Sequence, residues 1–351
     1  MHTAHTKIIY ERVKSMADNN NNNVNNSIDY DSIVIKKPSL WLRMYKYRYF
    51  YIMVAPVLVF IFIFYYWPML GVRYAFSTYK LRQITAGTGP DYSTGLGNFE
   101  KLFQDDFFIQ ALGNTLILSL VNLLLAMVCS VVIALMINEI QNAWGKKIVQ
   151  TVLYLPHFLS WVVVASIFTL LLSAGADATG ADTTTVGFVN AILIKLDIID
   201  TPISFLTETS TWRGVYYVAN RWKETGWGTI IYLAALTSIN PELYEAAEID
   251  GAGRLKQTWY ITLPSIMNTI LVVFILNLAK VMNVFESVFV LYNELVYSVA
   301  DVIQCYSYRV GIIGNDYGYS TAIGLFKSAV SLVLVTASDI IAKKIRGYGI
   351  I

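Results

Sequence analysis

Charge is scarce in this sequence. Of its 351 residues, 26 are Lys or Arg and 24 are Asp or Glu, so 14% are charged, against roughly a quarter in soluble domains. The net charge of +2 is too small to point to nucleic acid. Cysteine is scarcer still. Cys129 and Cys305 stand in unrelated surroundings, which excludes a disulfide framework and a CxxC metal site. There are three histidines: His2 and His5 lie near the N-terminus, and His157 follows Pro156 in an apolar run, where a structural role is expected. No metal site is assigned. The phosphate-cradling pattern GxxxxGKS/T is missing too. Gly145-Lys146-Lys147 lacks both the earlier glycine and the following hydroxyl residue. The chain therefore carries no ATPase chemistry of its own, and no catalytic residue is assigned. The first 38 residues lack an apolar core, so a cleaved signal peptide is not expected there. Their Asn-rich run, "DNNNNNVNNS" from Asp18 to Ser27, has little to bury, and Met1–Pro38 reads as a disordered, solvated tail.

Apolar side chains dominate the rest. The sequence is 56% hydrophobic, with a mean hydropathy of +0.51. A soluble core cannot hide so much apolar surface, and the composition predicts an all-α polytopic membrane protein. A helix crosses the hydrocarbon layer with about 20 apolar residues. Three charge-free stretches qualify directly: Tyr49–Val72, Phe107–Asn138 and Ile148–Ala176. Three more qualify if charge is tolerated inside them. Gly214–Ile239 contains Arg221, Lys223 and Glu224; Ser265–Tyr292 contains Lys280 and Glu286; Tyr317–Ile341 contains Lys327. Six transmembrane helices are thus predicted within a single domain, residues 39–351. Basic residues are retained on the cytoplasmic side. Lys36, Lys37, Arg43, Lys46 and Arg48 precede span one, Lys146 and Lys147 separate spans two and three, and Lys343, Lys344 and Arg346 follow span six. With six spans these clusters share one side, which places both termini, and the segment between spans four and five, in the cytoplasm. The opposite loop, Ser173 to Trp212, is acid-rich and has one lysine, Lys195.

That cytoplasmic segment is the most ordered polar stretch in the chain, "YEAAEIDGAGRLKQTWYITLP", Tyr244 to Pro264. Asn240 suits an N-cap and Pro241 the first helical position. The pattern predicts a short helix to about Asp250, then a turn through Gly251 and Gly253. A second helix, about Leu255 to Thr262, is predicted to end before Pro264, which starts span five. Leu243, Ala246 and Ala247 make a small apolar face flanked by Glu245 and Glu248.

The spacing Glu245-Ala246-Ala247, three residues, Gly251, nine residues, Ile261-x-Leu263-Pro264 resembles the EAA signature of ATP-binding-cassette (ABC) importer permeases, without gap or substitution. The flanking "IYLAALTSINPELYEAAEIDGAG", "GWGTIIYLAAL", "DVIQCYSYRVGI" and "TAIGLFKSAVSLVL" are similar to the sugar branch of that family, the maltose- and polysaccharide-type permeases. The similarity covers about Arg48 to the C-terminus. It implies a translocation subunit in the bacterial plasma (inner) membrane, with a coupling helix in the loop 240–264 between spans four and five. By resemblance, Glu245, Ala246, Ala247 and Gly251, with Ile261, Leu263 and Pro264, dock on an ATPase subunit. It also implies the partners: a second permease subunit completing a heterodimer, two ATPase subunits that carry ATP and magnesium, an extracytoplasmic solute-binding protein, and a carbohydrate as solute, oligosaccharide before monosaccharide or polyol.

Charges inside a membrane usually face a partner, water or a pathway. Spans one to three have none and spans four to six all do, so the last three are expected to line the pathway and the first three to form scaffold. Laid on the EAA motif without gaps, Lys223, Glu224, Trp227, Asn277 and Lys280 fall where maltose-type permeases contact sugar. Trp suits the apolar face of a pyranose, and Asn, Glu and Lys its hydroxyls; a basic residue also suits an acidic sugar such as a uronate. The competing account is that Lys223, Glu224, Lys280, Glu286 and Lys327 pair with one another across helices, and Trp212 and Trp222 equally suit interfacial anchors. A secondary transporter is the rival class, but no inverted repeat is visible. A non-transporting receptor leaves the charges in three consecutive spans unexplained.

Overall fold

A computed structural model describes residues 40–175 and 186–346. The Asn-rich tail expected over Met1–Pro38 lies outside the described residues. Among the described residues the chain is helical, with two isolated β-bridges, Thr78 to Asp91 and Lys80 to Asp316. It divides into two units, Met1–Trp67 and Pro68–Ile351.

In the first unit, helix α1 (Arg48–Ile61) runs on into a π-helical turn, Phe62–Tyr66. It contains Pro56 and buries none of its side chains. A helix apolar on every side belongs in a membrane or a large core.

In the second unit, α2 (Asp106–Asn138) starts at a carboxylate cap: the backbone N–H groups of Phe107 and Phe108 donate to Asp105 Oδ1 at 3.1 and 3.3 Å. Its 33 residues reach about 50 Å, more than a bilayer core needs. Next come α3 (Ala143–Tyr154) and α4 (Trp161–Leu172), where the sequence predicts a straight span over Ile148–Ala176. The structure corrects that prediction, because the two axes differ by 101°. Between them a tight turn, Leu155–Phe158, carries Pro156, which lacks an N–H to continue the α ladder. Ser160 then caps a new helix, its Oγ accepting from Val163 N–H at 3.3 Å.

Helix α5 (Thr209–Thr237) covers most of predicted span four as one unbroken rod of 29 residues. After the insert helix α6 (Glu242–Ile249), α7 (Arg254–Leu278) contains a π-turn at Thr258–Thr262. Two expectations are corrected here. The second insert helix does not stop before Pro264; it continues through it, and the wide turn leaves room for the proline ring. Span five, predicted to reach Tyr292, ends its helix at Leu278. There the backbone tightens, with Lys280 N–H donating to Asn277 O and Val281 N–H to Leu278 O at 3.0 and 3.1 Å. Glu286 therefore sits outside that rod, in the short helix Glu286–Phe289. Helix α8 (Tyr317–Arg346) closes the described chain.

Among the described residues four helices are long and apolar enough to cross a membrane, Arg48–Phe76, Asp106–Asn138, Arg254–Leu278 and Tyr317–Lys344, and five segments qualify if the bent α3–α4 pair counts as one span. Helix α5 has the length, but Arg221, Lys223 and Glu224 keep it too polar for that criterion.

Helix α5 is the axis of the second unit and lies along α2. One core cluster joins Leu118 of α2, Val164 of α4, Trp212 and Tyr216 of α5 and Val288; another joins Ala134 and Ile137 of α2, Tyr232 and Leu236 of α5 and Ile266 of α7. Trp212 is not an interfacial anchor. It is fully buried, stacks on Tyr216 at 5.4 Å and donates through Nε1 to Leu291 O at 3.1 Å. Arg213 ties the same region together, donating to Asn114 Oδ1 at 2.9 Å, while Asn114 Nδ2 donates to the carbonyls of Ser298 and Asp301. A further cluster packs Leu102 and Phe108 against Met282, Tyr319 and Ile323.

Candidate functional site

Helices α2, α5 and α7, with the turn after α7, line an open cavity of about 300 Å³. Arg221, Glu224 and Trp227 are spaced i, i+3, i+6 along α5 and form one stripe on its wall. Asn277, near the end of α7, and Lys280, in the turn after it, form the facing wall. Four of the five residues expected in the pathway, Glu224, Trp227, Asn277 and Lys280, thus line one cavity. Lys223 does not. It is 5% exposed, and its Nζ donates to His157 O at 2.7 Å.

The reason lies in how α5 meets the broken helix pair. A Cβ added at Gly226 would come within 1.9 Å of Leu153 O, so here α5 touches the end of α3 backbone to backbone. That approach sets the turn after α3 beside α5. His157 stacks flat on Trp227, with ring centroids 4.5 Å apart and planes 5° apart. Its Nδ1 lies 2.9 Å from Glu224 Oε2, and Lys223 Nζ lies 3.3 Å from Glu224 Oε1. Lys223 and His157 therefore hold the Glu224 carboxylate and the Trp227 indole from behind, while both side chains face the cavity.

Two further expectations change. Span two is not mere scaffold, because α2 supplies a whole wall that includes Ser119, Asn122 and Ser130. Neutral amides and hydroxyls offer hydrogen bonds without the cost of charge in apolar surroundings, so a search for charge passes them over. Pairing across helices also fails as a general account. Lys223 and Glu224 are sequence neighbours, Lys280 makes no ion pair among the described residues, and Lys327 donates to Asn283 Oδ1 at 3.0 Å. Neither Lys327 nor Glu286 lines the cavity. Sequence reasoning does not pick out His157 or Arg221 for the cavity. The signal for His157 is a Pro-His pair breaking an apolar run; Arg221 stands within the densest polar stretch of its helix.

The insert is built from local rules. Asn240 Oδ1 accepts from Glu242 N–H at 3.2 Å and caps α6. At the other end Gly251 has φ of +74°, Ala252 N–H donates to Ala247 O at 2.8 Å, and Gly251 N–H to Glu248 O at 3.0 Å. This pair of bonds is the Schellman stop, which requires the left-handed backbone at that glycine. Tyr244 Oη lies 2.9 Å from Thr262 Oγ1 and fastens α6 to α7. Glu245, Ala246 and Gly251 are exposed, and Ala247 is half-buried. Ile261 and Leu263 are half-buried and Pro264 exposed on α7. Leu243, Ile249, Leu255, Trp259 and Tyr260 leave a large apolar surface open around them. Among the described residues no group of three or more His, Cys, Asp or Glu is placed to hold a metal ion.

Residues 126–347, which take in most of the cavity-forming helices and the whole insert, match the family "Binding-protein-dependent transport system inner membrane component". The chain belongs to this family. The permease is 40% identical to Protein LplB of Bacillus subtilis (strain 168) over 286 residues, 81% of this chain and 85% of that one. It is 39% identical to the polygalacturonan/rhamnogalacturonan transport system permease protein YteP of the same strain, over 81% of this chain and 84% of the relative. Among solved structures it resembles a chain of a bacterial alginate ABC transporter in complex with an alginate pentasaccharide-bound periplasmic protein. The TM-score is 0.77 and the identity 37%, covering 89% of this permease and 99% of that chain. The permease is thus a multi-pass membrane protein of the sugar ABC importer type.

Proposed function

We propose that this chain is one half of the translocation pathway of an ATP-driven importer for oligosaccharides, acidic polysaccharide fragments foremost. The observation that carries the reading is its likeness, at 37% identity and over 99% of that chain, to a subunit of an importer of the acidic polysaccharide alginate. The polygalacturonan/rhamnogalacturonan permease points to the same solute class. The chemistry of the cavity agrees: an indole for a pyranose face, with Asn277, Glu224 and Lys280 for its polar groups. Within this reading the chain crosses a bacterial inner membrane six times, with α5 as the fourth span and both termini in the cytoplasm. A second permease subunit completes the pathway. A periplasmic binding protein delivers the solute.

Helix α6 is the coupling helix. Glu245, Ala246, Ala247 and Gly251 enter a cleft on one of two ATPase subunits, which hold ATP and magnesium. The exposed apolar rim around them is covered there, and Ile261, Leu263 and Pro264 pass the movement into α7 as a rigid body. Vesicles holding the full assembly should accumulate oligogalacturonate only when ATP is inside and the binding protein outside. ATP-independent uptake driven by an ion gradient would end this proposal.

A further inference from the structure

The cavity holds more positive charge than its walls neutralise. Three charged side chains line it: Arg221, Glu224 and Lys280. Glu224 already has its counter-charge, since Lys223 Nζ lies 3.3 Å from one oxygen and His157 Nδ1 2.9 Å from the other. Neither cation makes an ion pair among the described residues: Glu224, the one carboxylate that lines the cavity, attracts Arg221 only from a distance and is held by Lys223 and His157. Arg221 Nη2 donates to Asn122 Oδ1 at 2.8 Å, a neutral acceptor that leaves the charge undiminished, and Arg221 Nε is buried with no acceptor. Lys280 is exposed and makes no ion pair among those residues. Elsewhere Arg309 meets Asp301 and Arg254 meets Glu139. Arg213 and Lys327 also have amide acceptors, but neither lines the cavity.

A guanidinium without an ion pair inside an apolar helix is costly unless an anion visits it, and the exposed ammonium of Lys280, in the turn after α7, faces the same cavity. The two differ in kind: a guanidinium is a planar fork that takes a carboxylate through two parallel bonds, and an ammonium is a mobile point charge. We propose that Arg221 and Lys280 select acidic sugars by binding their carboxylates, with Asn122 as the positioning residue that holds the guanidinium at the cavity wall. Arg221 and Trp227 are six residues apart on α5, about 9 Å along its axis. A ring stacked on Trp227 and a carboxylate at Arg221 therefore belong to different sugar units, and the site reads an acidic oligosaccharide rather than a single uronate. This inference rests on the sugar-import reading above.

The test is the affinity of the purified, assembled transporter for tetragalacturonate and for the same tetrasaccharide with its carboxyl groups reduced to alcohols. The wild type should prefer the acid by about a hundredfold, and Arg221→Gln and Lys280→Met should each lower that preference about tenfold, the loss of one charge-assisted contact. Asn122→Ala should lower it less, with Arg221 unchanged. Added salt should weaken the acid and not the reduced sugar. A wild type that binds both sugars equally would overturn the inference and leave sugar import standing. Binding of neither sugar would remove both. An unchanged preference in both variants would also overturn it. Should Arg221→Gln fail to assemble, Lys280→Met decides alone, because that side chain is exposed and supports no packing.

Discussion

Gly226, where α5 meets α3 behind the cavity, and Gly251 in the insert both occupy places that suit glycine, for opposite reasons. Gly251 has open space around it, but its φ of +74° is one that a side chain resists. Gly226 sits inside a regular helix and needs only the absence of a Cβ, which would strike Leu153 O at 1.9 Å. The first glycine obeys a rule local to its own dozen residues, the stop of α6. The second depends on a segment more than seventy positions earlier in the chain. The contrast extends to the regions around them. The insert displays its residues outward from a self-contained helix–stop–helix. The cavity exists only because α2, α5, α7 and the broken α3–α4 pair come together.

That contrast can be broken most sharply at Gly226. Gly226→Ala should separate α3 from α5, release His157 from Trp227 and Glu224, and leave little assembled transporter in the membrane. Overpacking of this kind costs roughly 1–3 kcal/mol and more where backbone is struck. Normal levels and normal uptake in that variant would show that the close approach is dispensable. Gly251→Val should have the second-largest effect and a different signature. The protein should insert at its normal level yet lose uptake and association with the ATPase, because the αL stop of α6 is lost; a β-branched residue there is strained by at least about 1–2 kcal/mol. Gly251→Asn, which tolerates that conformation better, should restore part of the uptake. Full uptake by Gly251→Val would contradict the coupling role.

Within the cavity the effects are graded. Trp227→Ala removes the stacking platform and should lower apparent affinity for oligosaccharide by about tenfold, with Trp227→Phe intermediate. Asn277→Ala removes one hydrogen-bonding side chain, about 0.5–1.5 kcal/mol, and should cost two- to tenfold in uptake without changing protein level. A uniform collapse of expression in both variants would mean that the cavity wall is structural.

The smallest effect on uptake is expected away from both regions, at Asp105. Burial pushes its carboxyl up, but the hydroxyls of Tyr306 and Tyr319 and the N–H groups of Phe108 and Phe107 outweigh it and hold the group below the usual carboxylate range. A lowered folded value means that the stabilisation is complete above the unfolded value, about pH 3.9, and is lost as pH falls through the folded one. The difference in melting temperature between wild type and Asp105→Asn should therefore be constant from pH 7 to pH 5 and shrink only below about pH 4. A difference that already fades near pH 6 would contradict the lowered value.

Much of this is legible in the order of the residues. Asn240, Gly251 and the Glu245 to Pro264 spacing are contiguous signals whose physics acts within one turn of helix, and the cap and stop form as their residue types dictate. Glu224, Trp227, Asn277 and Lys280 stand out for two reasons: polar groups in apolar helices need a destination, and these four fall on contact positions that the family resemblance implies. The boundaries that fail, at Pro264, Leu278 and the 101° bend, are places where a wide turn, a tight turn or a serine cap competes with an apolar run that hydropathy reads as continuous.

What the sequence determined by itself is that this is a helical membrane protein with a polar insert of set geometry, since hydrophobicity, capping and turn formation depend on neighbouring residues. Which side of α5 each polar group faces was decided only by the tertiary structure. Lys223 and Glu224 are adjacent, with the same neighbours and the same claim to the cavity. Yet Lys223 turns to the His157 carbonyl and Glu224 to the lumen, because the backbone contact at Gly226 brings that carbonyl to one side of the helix and leaves the other side open.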